Sequence, residues 1–410
     1  MTLNLAGWIL FWLSMSTLAY AYVGYPLLVY FVSRLRPRLV RKKEDYEPNV
    51  SLIITAYNEE KDLRAKLENT LALDYPKDKL EIIVASDCST DRTDEIVLEF
   101  RSKGVRLHRQ RERLGKTSAQ NAAVELAQNE IILFSDATSM YNTNVLREMM
   151  PSFSDETVGC VAGKLIYVDP AETGVGRGAR SYWNYETFLK ECESRACSLI
   201  GASGCLYAVR RTAYRPMYAE ACSDFLIVTI LMEQGMRTIY EPNAVCKEET
   251  NRRVRKELRM RVRVISQTLT DLWRHRSMMN PFRSGFYAIE LISHKIFRYF
   301  VPFMLLGIFF STLVLTERSI FFEGLFFSQI LFYGVALMTS LLERAGLKLG
   351  LLSLPQYFVL ANVASVIALY KTLRGERFAR WEPIREKPVV KKKEEAKVAA
   401  ATQGHDFEST

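Results

Sequence analysis

Histidine and closely paired cysteine are scarce in this sequence of 410 residues. It contains four histidines and seven cysteines, and no histidine lies near a pair of cysteines. The mixed clusters of these residues that bind structural zinc are therefore not indicated. An odd number of cysteines without a repeated close spacing favours reduced thiols over a disulfide framework, as expected of a cytoplasmic domain.

Charge is missing from the first part of the chain and scarce near its end. Residues 1–33 contain no charged side chain, and three further apolar runs follow at 299–316, 319–342 and 349–370. A helix needs about 20 apolar residues to cross a bilayer. We therefore predict an N-terminal transmembrane helix at 1–33 and a C-terminal transmembrane region of two or three segments at 298–370.

Basic residues cluster beside the apolar segments. The juxtamembrane linker at 34–47 contains Arg34, Arg36, Arg38, Arg41, Lys42 and Lys43. By the positive-inside rule, this linker and the domain after it lie on the cytoplasmic side of a cell (inner) membrane. Residues 276–297 mix apolar and polar side chains and predict an interfacial helix. Most of the net charge of +9 lies near such segments, so membrane lipid, and not nucleic acid, is the expected partner.

The end of the chain conflicts with that topology. Residues 371–410 form a basic cytoplasmic tail that is expected to be partly disordered. Three crossings after a cytoplasmic domain would place this tail outside, whereas the positive-inside rule places it inside. The weakest span is 349–370, which contains Pro355, Gln356 and Asn362. That segment either crosses the membrane or lies re-entrant or in the interface.

Strand-like and helix-like segments alternate in the middle of the chain. The predicted strands are 50–56, 80–86, 105–109 and 130–135. This alternation predicts an α/β domain with a largely parallel sheet. Ligands bind outside the carboxyl ends of such strands. Three of these ends carry acidic residues, at 57–59, 87–91 and Asp136, which predicts a binding site at this edge of the sheet.

A stretch that resembles a P-loop is misleading. Gly115, Lys116 and Thr117 match the end of that motif, but Gln110 stands where its first glycine is needed. A nucleoside triphosphatase is therefore disfavoured. Lys116 at a predicted helix start is still a candidate for phosphate binding, because helix N-termini favour anions. The alternative is a solvated lysine at the end of a helix.

Six motifs together resemble family 2 glycosyltransferases. They are "VSLIITAYNEE", "IIVASDCSTDRTDEI", "GKTSAQNAAVE", "ILFSDATS", "GASGCLYAVRR" and "CSDFLIVTILMEQG", in this order. The chain is similar to the membrane-embedded branch that includes cellulose, hyaluronan and poly-N-acetylglucosamine synthases. The resemblance implies a GT-A (Rossmann-like) cytoplasmic domain at 48–275, flanked by transmembrane helices. This domain would move a sugar from a nucleotide diphosphate donor, by family precedent a UDP-sugar, with inversion at the anomeric carbon.

The resemblance also implies residue roles. The nucleotide site would contain Tyr57, Glu59 and Asp87, with Lys116 as a further candidate, the metal would bind Asp136, and the acceptor loop would contain Gly201, Ser203 and Gly204. The second acid of the family's Asp-x-Asp motif is replaced here by Thr138. A hard cation such as Mg²⁺ or Mn²⁺ can complete its shell with phosphates and waters. We therefore expect a metal site that forms with the substrate.

Asp224 is the predicted general base. An attacking alcohol must lose its proton to a carboxylate, and the resemblance places Asp224 in that role. Glu220 is a rival, and Asp224 before an apolar helix also suits helix capping. Arg263 is expected to bind the leaving diphosphate, with Arg261 as the alternative.

A second departure concerns the product. The family's Gln-x-x-Arg-Trp motif is represented by Met260, Arg263 and Val264. Valine cannot form the platform on which the tryptophan of that motif stacks an acceptor sugar, so processive extension is in doubt. Three hypotheses stay open. The chain adds one or a few sugars to a glycan or lipid-linked acceptor, or it is a processive synthase that exports its polymer, with an export partner unknown, or it is a non-catalytic sensor of nucleotide sugars.

Overall fold

A mixed β-sheet forms the centre of the domain. The computed structural model describes residues 2–169, 174–249, 253–345, 347 and 350–380. Within these residues the sheet contains eight strands: β1 (Val50–Ala56), β2 (Leu80–Ser86), β3 (Val105–Arg109), β4 (Ile131–Asp136), β5 (Met140–Tyr141), β6 (Val158–Val168), β7 (Leu206–Arg210) and β8 (Arg237–Glu249). The four predicted strands are confirmed.

The strand order separates two halves of the sheet. It runs β3-β2-β1-β4-β7-β6-β8-β5. The first four strands are mutually parallel, so β1, β2 and β4 end at one edge. Strand β7 is antiparallel to both of its neighbours, β4 and β6. The α/β prediction is confirmed. The half that carries the acidic strand ends is wholly parallel, whereas the other half is mixed, with β6 parallel to β8 and β5 antiparallel to β8.

Fourteen α-helices surround the sheet or extend from it within the described residues. They are α1 (Thr2–Ala19), α2 (Tyr25–Leu35), α3 (Leu63–Leu71), α4 (Thr93–Glu99), α5 (Lys116–Leu126), α6 (Val145–Met149), α7 (Gly174–Ala196), α8 (Ser223–Glu233), α9 (Val254–Arg274), α10 (Pro281–Ser284), α11 (Phe286–Leu291), α12 (Phe297–Leu315), α13 (Ile320–Arg344) and α14 (Ser353–Leu373). Two π-helical segments, Tyr20–Gly24 and Ile292–Ile296, join α1 to α2 and α11 to α12.

Alternate residues of the central strands pack against helices on opposite faces of the sheet. In β1, Leu52 and Ile54 join one core cluster, which includes Leu67 of α3. Ile53 joins another cluster, which includes Ala119 of α5. Burying an aliphatic side chain of this size contributes roughly 1.5–3 kcal/mol. Burial on both faces explains why the strands read as continuous apolar runs, and it holds their polar ends at a rigid edge.

Four helical segments among the described residues are long and apolar enough to cross a membrane: Asn4–Leu35, Phe286–Arg318, Ile320–Glu343 and Ser353–Leu373. The second of these differs from the prediction, which separated an interfacial helix at 276–297 from a span beginning at 298. Residues 286–318 form one continuous run of helix. The π-helical segment Ile292–Ile296 joins α11 to α12 without interrupting the helix.

Helix α14 lies along α9 of the sheet domain. Near its start, the hydroxyl of Tyr357 donates to Oε1 of Glu257 at 3.0 Å. Near its end, the carbonyl oxygen of Ala368 accepts from Oγ of Ser266 at 3.3 Å. Since both contacts are with α9, both ends of α14 lie beside the domain. Of the tail predicted at 371–410, residues 381–410 lie outside the described residues.

Candidate functional site

A cavity of about 1290 Å³ opens at the carboxyl edge of the parallel strands. Its wall includes most of the predicted site residues, namely Glu59, Lys116, Asp136, Gly201, Ser203, Gly204, Asp224, Arg261 and Arg263. These residues come from several elements that span half of the chain, from Glu59 to Arg263. The chain therefore brings the predicted metal, base, acceptor and diphosphate residues to one chamber.

The loop before α5 is held by Asp87. This fully buried carboxylate accepts from the backbone N–H groups of Leu114 at 2.8 Å and Gly115 at 3.0 Å. Gly115 has φ +104°, a conformation that favours glycine. Asp87 thus positions the loop before α5, and with it Lys116, the first residue of that helix. Its contact with a nucleotide stays a prediction.

The loops after β1 and β2 are bonded to each other. The Asn58 side-chain oxygen accepts from the backbone N–H of Thr90 at 2.6 Å. The backbone N–H of Glu59 donates to Oγ1 of Thr93 at 2.7 Å. Across this surface, the Arg113 guanidinium lies 3.7 Å from the ring centroid of Tyr57. The predicted nucleotide residues Tyr57 and Glu59 therefore lie in a loop that is held in place by these contacts.

Lys116 connects the end of β4 to the predicted acceptor loop. Its ammonium forms an ion pair with Asp136 and donates to the carbonyl oxygen of Gly204 at 3.3 Å. Burial alone would lower the pKa of Lys116, but the charges of Asp136 and Asp224 outweigh it and raise that pKa. Lys116 is therefore a charged group inside the cavity, and the solvated-lysine alternative does not describe it.

Glu248 is an acidic residue of this site that the sequence reasoning missed. It lies in β8 and lines the cavity, and its Oε1 accepts from the hydroxyl of Thr138 at 3.1 Å. Burial, together with the nearby charge of Asp136, raises the pKa of Glu248 to about 7. Glu248 therefore supplies a second carboxylate where Thr138 replaces the acid of the family motif.

The donor set beside Asp136 fits a hard divalent cation. The described residues contain no preformed group of three or more metal-binding side chains of the His, Cys, Asp and Glu types. Asp136, Glu248 and Thr138 offer only oxygen atoms, which such cations prefer. The buried hydroxyl of Thr55, opposite Asp136 in the strand register, has no hydrogen-bond partner within the described structure. These oxygens suit a cation that takes its remaining ligands from a diphosphate.

Asp224 faces the cavity and does not cap its helix. The N-cap position of α8 is Cys222, and no side chain caps the helix end. The Asp224 side chain accepts from Sγ of Cys222 at 3.2 Å and lines the cavity. Glu220, the rival acid, is not part of the cavity wall. Of the two acids, only Asp224 lines the cavity, and its role as the base stays a prediction.

Two further polar groups position the loops around Asp224. The backbone oxygen of Asp224 accepts from the N–H of Ala202 at 2.9 Å, which ties α8 to the acceptor loop. The backbone N–H of Cys222 donates to Oδ2 of Asp271 at 3.0 Å. Burial raises the pKa of Asp271 to about 7. Asp271 lies in α9, far along the chain, and no local pattern indicates this contact.

Gly204 is the point of closest approach between the acceptor loop and the acids. A Cβ atom on Gly204 would lie 3.1 Å from Oδ2 of Asp224 and 3.4 Å from Nζ of Lys116. The first of these distances is tighter than an ordinary carbon–oxygen contact, so the carboxylate would have to move. Backbone freedom is not the reason for glycine here, since its φ is not positive.

We expect Gly204→Ala to lower the rate of the reaction at this cavity by about tenfold or more, because a small misplacement of a reacting group has an effect of this size. The change should leave the thermal unfolding temperature and nucleotide affinity close to wild type. Gly201→Ala is the matched control, since a Cβ there meets only a Phe225 ring atom at 3.6 Å. Equal losses in both variants would contradict a specific role for Gly204.

The two candidate diphosphate residues differ in their contacts. Arg261 donates to Glu257 at 2.8 Å and to the hydroxyl of Tyr357, so it joins α9 to α14. Its guanidinium also lies 4.9 Å from the ring centroid of Tyr182. The structure gives Arg261 a packing role, and its proposed contact with a diphosphate competes with these bonds.

Arg263 is the better placed of the two arginines. It lines the cavity, and no hydrogen bond or ion pair is recorded for it within the described part of the chain. Burial lowers the pKa of Arg263, while the charges of Asp224 and Asp136 oppose that shift. A cation with nearby carboxylates and no bonded partner is suited to an incoming anion.

The segment after α14 returns to the loop that precedes α5. Nε2 of Gln267 donates to the carbonyl oxygen of Phe378 at 2.7 Å, and Nε of Arg380 donates to the carbonyl oxygen of Arg113 at 3.2 Å. A Cβ on Gly115 would lie 2.1 Å from the carbonyl oxygen of Ala379. This segment forms part of the cavity wall near the predicted nucleotide site.

Comparison with known proteins agrees with this geometry. Residues 51–217 match the family described as Glycosyl transferase family 2. A probable glycosyltransferase, YdaM of Bacillus subtilis, is 36% identical over 132 residues, which cover 31% of this chain and 31% of YdaM. A beta-monoglucosyldiacylglycerol synthase of Nostoc is 33% identical over 131 residues, 31% of this chain and 28% of that protein. The aligned region thus spans less than a third of these relatives.

A solved structure resembles the chain over most of its length. The mannosyltransferase PcManGT of Pyrobaculum calidifontis, determined with GDP-Man and Mn²⁺, has a TM-score of 0.69. The match covers 90% of this chain and 99% of that one at 22% identity, which establishes a shared fold. Residues 51–217 therefore belong to a glycosyl transferase family 2 domain, and this domain has the GT-A fold.

Proposed function

We propose that this chain is an inverting glycosyltransferase that moves a sugar from a nucleotide diphosphate donor to an acceptor at the cytoplasmic face of a membrane. The observation that carries this proposal is the convergence of Asp136, Lys116, Arg263 and Asp224 on one cavity. It joins cationic groups for a diphosphate to a carboxylate that can accept a proton. A UDP-sugar is the proposed donor, and a glycan or lipid-linked molecule is the proposed acceptor.

The proposed reaction divides these residues into two roles. The acceptor hydroxyl attacks the anomeric carbon and gives its proton to Asp224, as a new carbon–oxygen bond forms on the face opposite the leaving group. The bond to the diphosphate breaks, and its electron pair leaves with the diphosphate oxygen. Lys116 and Arg263 stabilise the negative charge that develops there. A divalent cation at Asp136 and Glu248, Mg²⁺ or Mn²⁺, would supply further positive charge to the same oxygens.

The proposed membrane topology uses three crossings. The run from α1 to α2, the run from α11 to α12, and α13 would cross, whereas α14 would lie along α9 at the cytoplasmic face. The contacts of α14 with α9 support this arrangement, as does the bond between Arg380 and Arg113. It places both the linker at 34–47 and the basic segment after α14 on the cytoplasmic side, as the positive-inside rule requires.

Release of nucleoside diphosphate tests the proposed function. The full chain, purified into lipid vesicles, would be given a panel of UDP- and GDP-sugars with Mn²⁺, Mg²⁺ or EDTA, and with membrane extract as a source of acceptor. We expect one donor class to release its nucleotide in a metal-dependent manner. The length of the glycan product then separates single addition from processive synthesis.

Binding without turnover would overturn the proposal. If the chain binds a nucleotide sugar tightly but releases no diphosphate from any donor, even with membrane extract, it is a sensor. Release of nucleoside diphosphate that needs the protein but is unchanged in Asp224→Asn would also contradict the role assigned to Asp224.

A further inference from the structure

Lys66 is buried inside the domain, where a charged side chain is unusual. It lies in α3, it has no exposed area, and it is not part of the cavity wall. An ionised group in such a place is costly unless specific partners compensate it. The groups that contact Lys66 therefore indicate what it holds in place.

The ammonium of Lys66 holds the segment that follows the predicted metal residues. It donates to the carbonyl oxygen of Ser139 at 2.6 Å and lies 3.4 Å from the ring centroid of Tyr141. Ser139 directly follows Thr138, and its backbone N–H donates to the carbonyl oxygen of Asp136 at 3.4 Å. Lys66 is thus joined to the loop of Asp136 and Thr138 through a single residue.

Asn69 fixes the same segment from the next turn of α3. Its side-chain oxygen accepts from the backbone N–H of Tyr141 at 2.8 Å, and its side-chain nitrogen donates to the carbonyl oxygen of Tyr141 at 2.9 Å. Both backbone groups of Tyr141 are therefore bonded to one side chain. The hydroxyl of Tyr141 donates to the carbonyl oxygen of Cys205 at 2.8 Å, next to Gly204. Strand β5 is held between α3 and the predicted acceptor loop.

The pairing of β5 with β8 places Glu248 beside this segment. Tyr141 pairs with Cys246, and Cys246 and Glu248 point to the same face of β8, because side chains alternate along a strand. Tyr141 and Glu248 are therefore diagonal neighbours on one face of the sheet. Burial lowers the pKa of Lys66 to about 7, and nearby groups that include Asp136 and Glu248 oppose this shift. Lys66 thus lies behind both predicted metal-binding carboxylates.

Helix α3 begins directly after the loop of Tyr57 and Glu59. The carbonyl oxygen of Glu59 accepts from the backbone N–H of Leu63, the first residue of α3, at 2.9 Å. The carbonyl oxygen of Asp62, at the N-cap position, accepts from the backbone N–H of Lys66 at 3.0 Å. One helix therefore connects the predicted nucleotide loop to the predicted metal loop.

We propose that Lys66 and Asn69 are positioning residues that couple metal binding to nucleotide binding. They hold the segment after Asp136 in a fixed place relative to the loop of Glu59, so that one nucleoside diphosphate meets both loops. Neither residue lies in the cavity wall, so each acts through the segment that it holds. This inference rests on the proposed function, because it assigns the support of the same donor site.

Calorimetric binding of UDP to the full chain in lipid nanodiscs tests this coupling without any turnover. The affinity would be measured in EDTA and again with Mn²⁺, for wild type, Lys66→Met and Asn69→Ala. In EDTA we expect both variants to bind UDP about as tightly as wild type. The strengthening by Mn²⁺ should fall about tenfold or more, since the loss of a residue that supports metal ligands weakens metal binding roughly 10- to 100-fold. A merely structural role would weaken UDP binding equally under both conditions.

The second variant keeps the inference testable if Lys66→Met does not fold. That change leaves the buried carbonyl oxygen of Ser139 without the donor that it has here. Asn69 is only half-buried, so Asn69→Ala disturbs the core less while it removes both bonds to the backbone of Tyr141.

Arg64→Met and Glu68→Ala are the matched controls. Both residues lie on the exposed face of α3. The first change removes the same charge as Lys66→Met, and the second shortens the side chain next to Asn69. We expect both controls to keep the strengthening of UDP binding by Mn²⁺ within about twofold of wild type, as surface substitutions usually have small effects.

Three results would overturn the inference. They are an unchanged effect of Mn²⁺ in Asn69→Ala, an equal loss in Arg64→Met and Lys66→Met, and tighter binding of Mn²⁺ alone in Lys66→Met, which would show that Lys66 repels the metal.

Release of nucleoside diphosphate by the same preparations separates this inference from the proposed function. If Mn²⁺ does not strengthen UDP binding in wild type, the inference fails, while diphosphate release would leave the proposed function standing. If the coupling is present in wild type and lost in both variants but no diphosphate is released, the inference stands and the proposed function fails.

Discussion

Replacing Asp224 with asparagine is expected to lower the rate of sugar transfer by roughly 10²- to 10⁴-fold, the usual contribution of a general base. Asparagine has nearly the same shape but cannot take a proton from the attacking hydroxyl. The Cys222 contact and the end of α8 should survive, because Asp224 makes no capping bond there. Donor affinity should therefore change little. Steady-state rates together with nucleotide binding would separate the two effects.

Glu220→Gln is the control for this prediction. It removes a carboxylate four residues away that does not line the cavity. We expect its rate to stay within about twofold of wild type, as for a surface change. If Glu220→Gln loses most of its activity while Asp224→Asn stays active, then Glu220 is the base and the assignment of Asp224 is wrong.

The second large loss of activity is expected when Asp136 or Glu248, the two carboxylates beside Lys116, is changed. Asp136→Asn should lower transfer by roughly 10²- to 10³-fold, because it removes a group that organises positive charge around the leaving diphosphate. Glu248→Gln should weaken the activating metal, seen as a shift of the Mn²⁺ titration to higher concentration. We expect these two effects because both carboxylates lie in the cavity wall.

Glu249→Gln is the matched control for Glu248→Gln. Adjacent residues of a strand face opposite sides, and Glu249 is exposed and outside the cavity wall. Its Mn²⁺ titration should coincide with that of wild type. Transfer that is unaffected by EDTA and by Glu248→Gln would mean that Lys116 and Arg263 alone stabilise the leaving group, and the proposed metal would be withdrawn.

The strands and their acidic ends were predictable because both depend on local pattern. Apolar runs bounded by polar residues indicate buried strands, and β1, β2, β3 and β4 lie within one residue of their predicted bounds. The position of Asp136 at the end of β4 follows from the same pattern. The resemblance to a known family then supplied the roles of Asp224 and Arg263, which composition alone does not indicate.

Other parts of the site had no local signal. Glu248 meets Thr138 across 110 positions of the chain, because β8 pairs with β5, the short strand that begins just after Thr138. The choice between Arg261 and Arg263 also depends on tertiary contacts, since both lie on α9 and only Arg261 is bonded to Glu257 and Tyr357. Sequence spacing on a helix does not distinguish these surroundings.

The sequence by itself determined the α/β domain, the apolar segments and the residue types that the chemistry needs, since these follow from periodicity, length and motif. Tertiary structure alone decided which charges compensate one another. It paired Glu186 with Arg298, brought Lys116 beside Asp136, and laid α14 along α9. The physical reason is that burial and pairing of charge depend on distances in space, which a linear pattern does not contain.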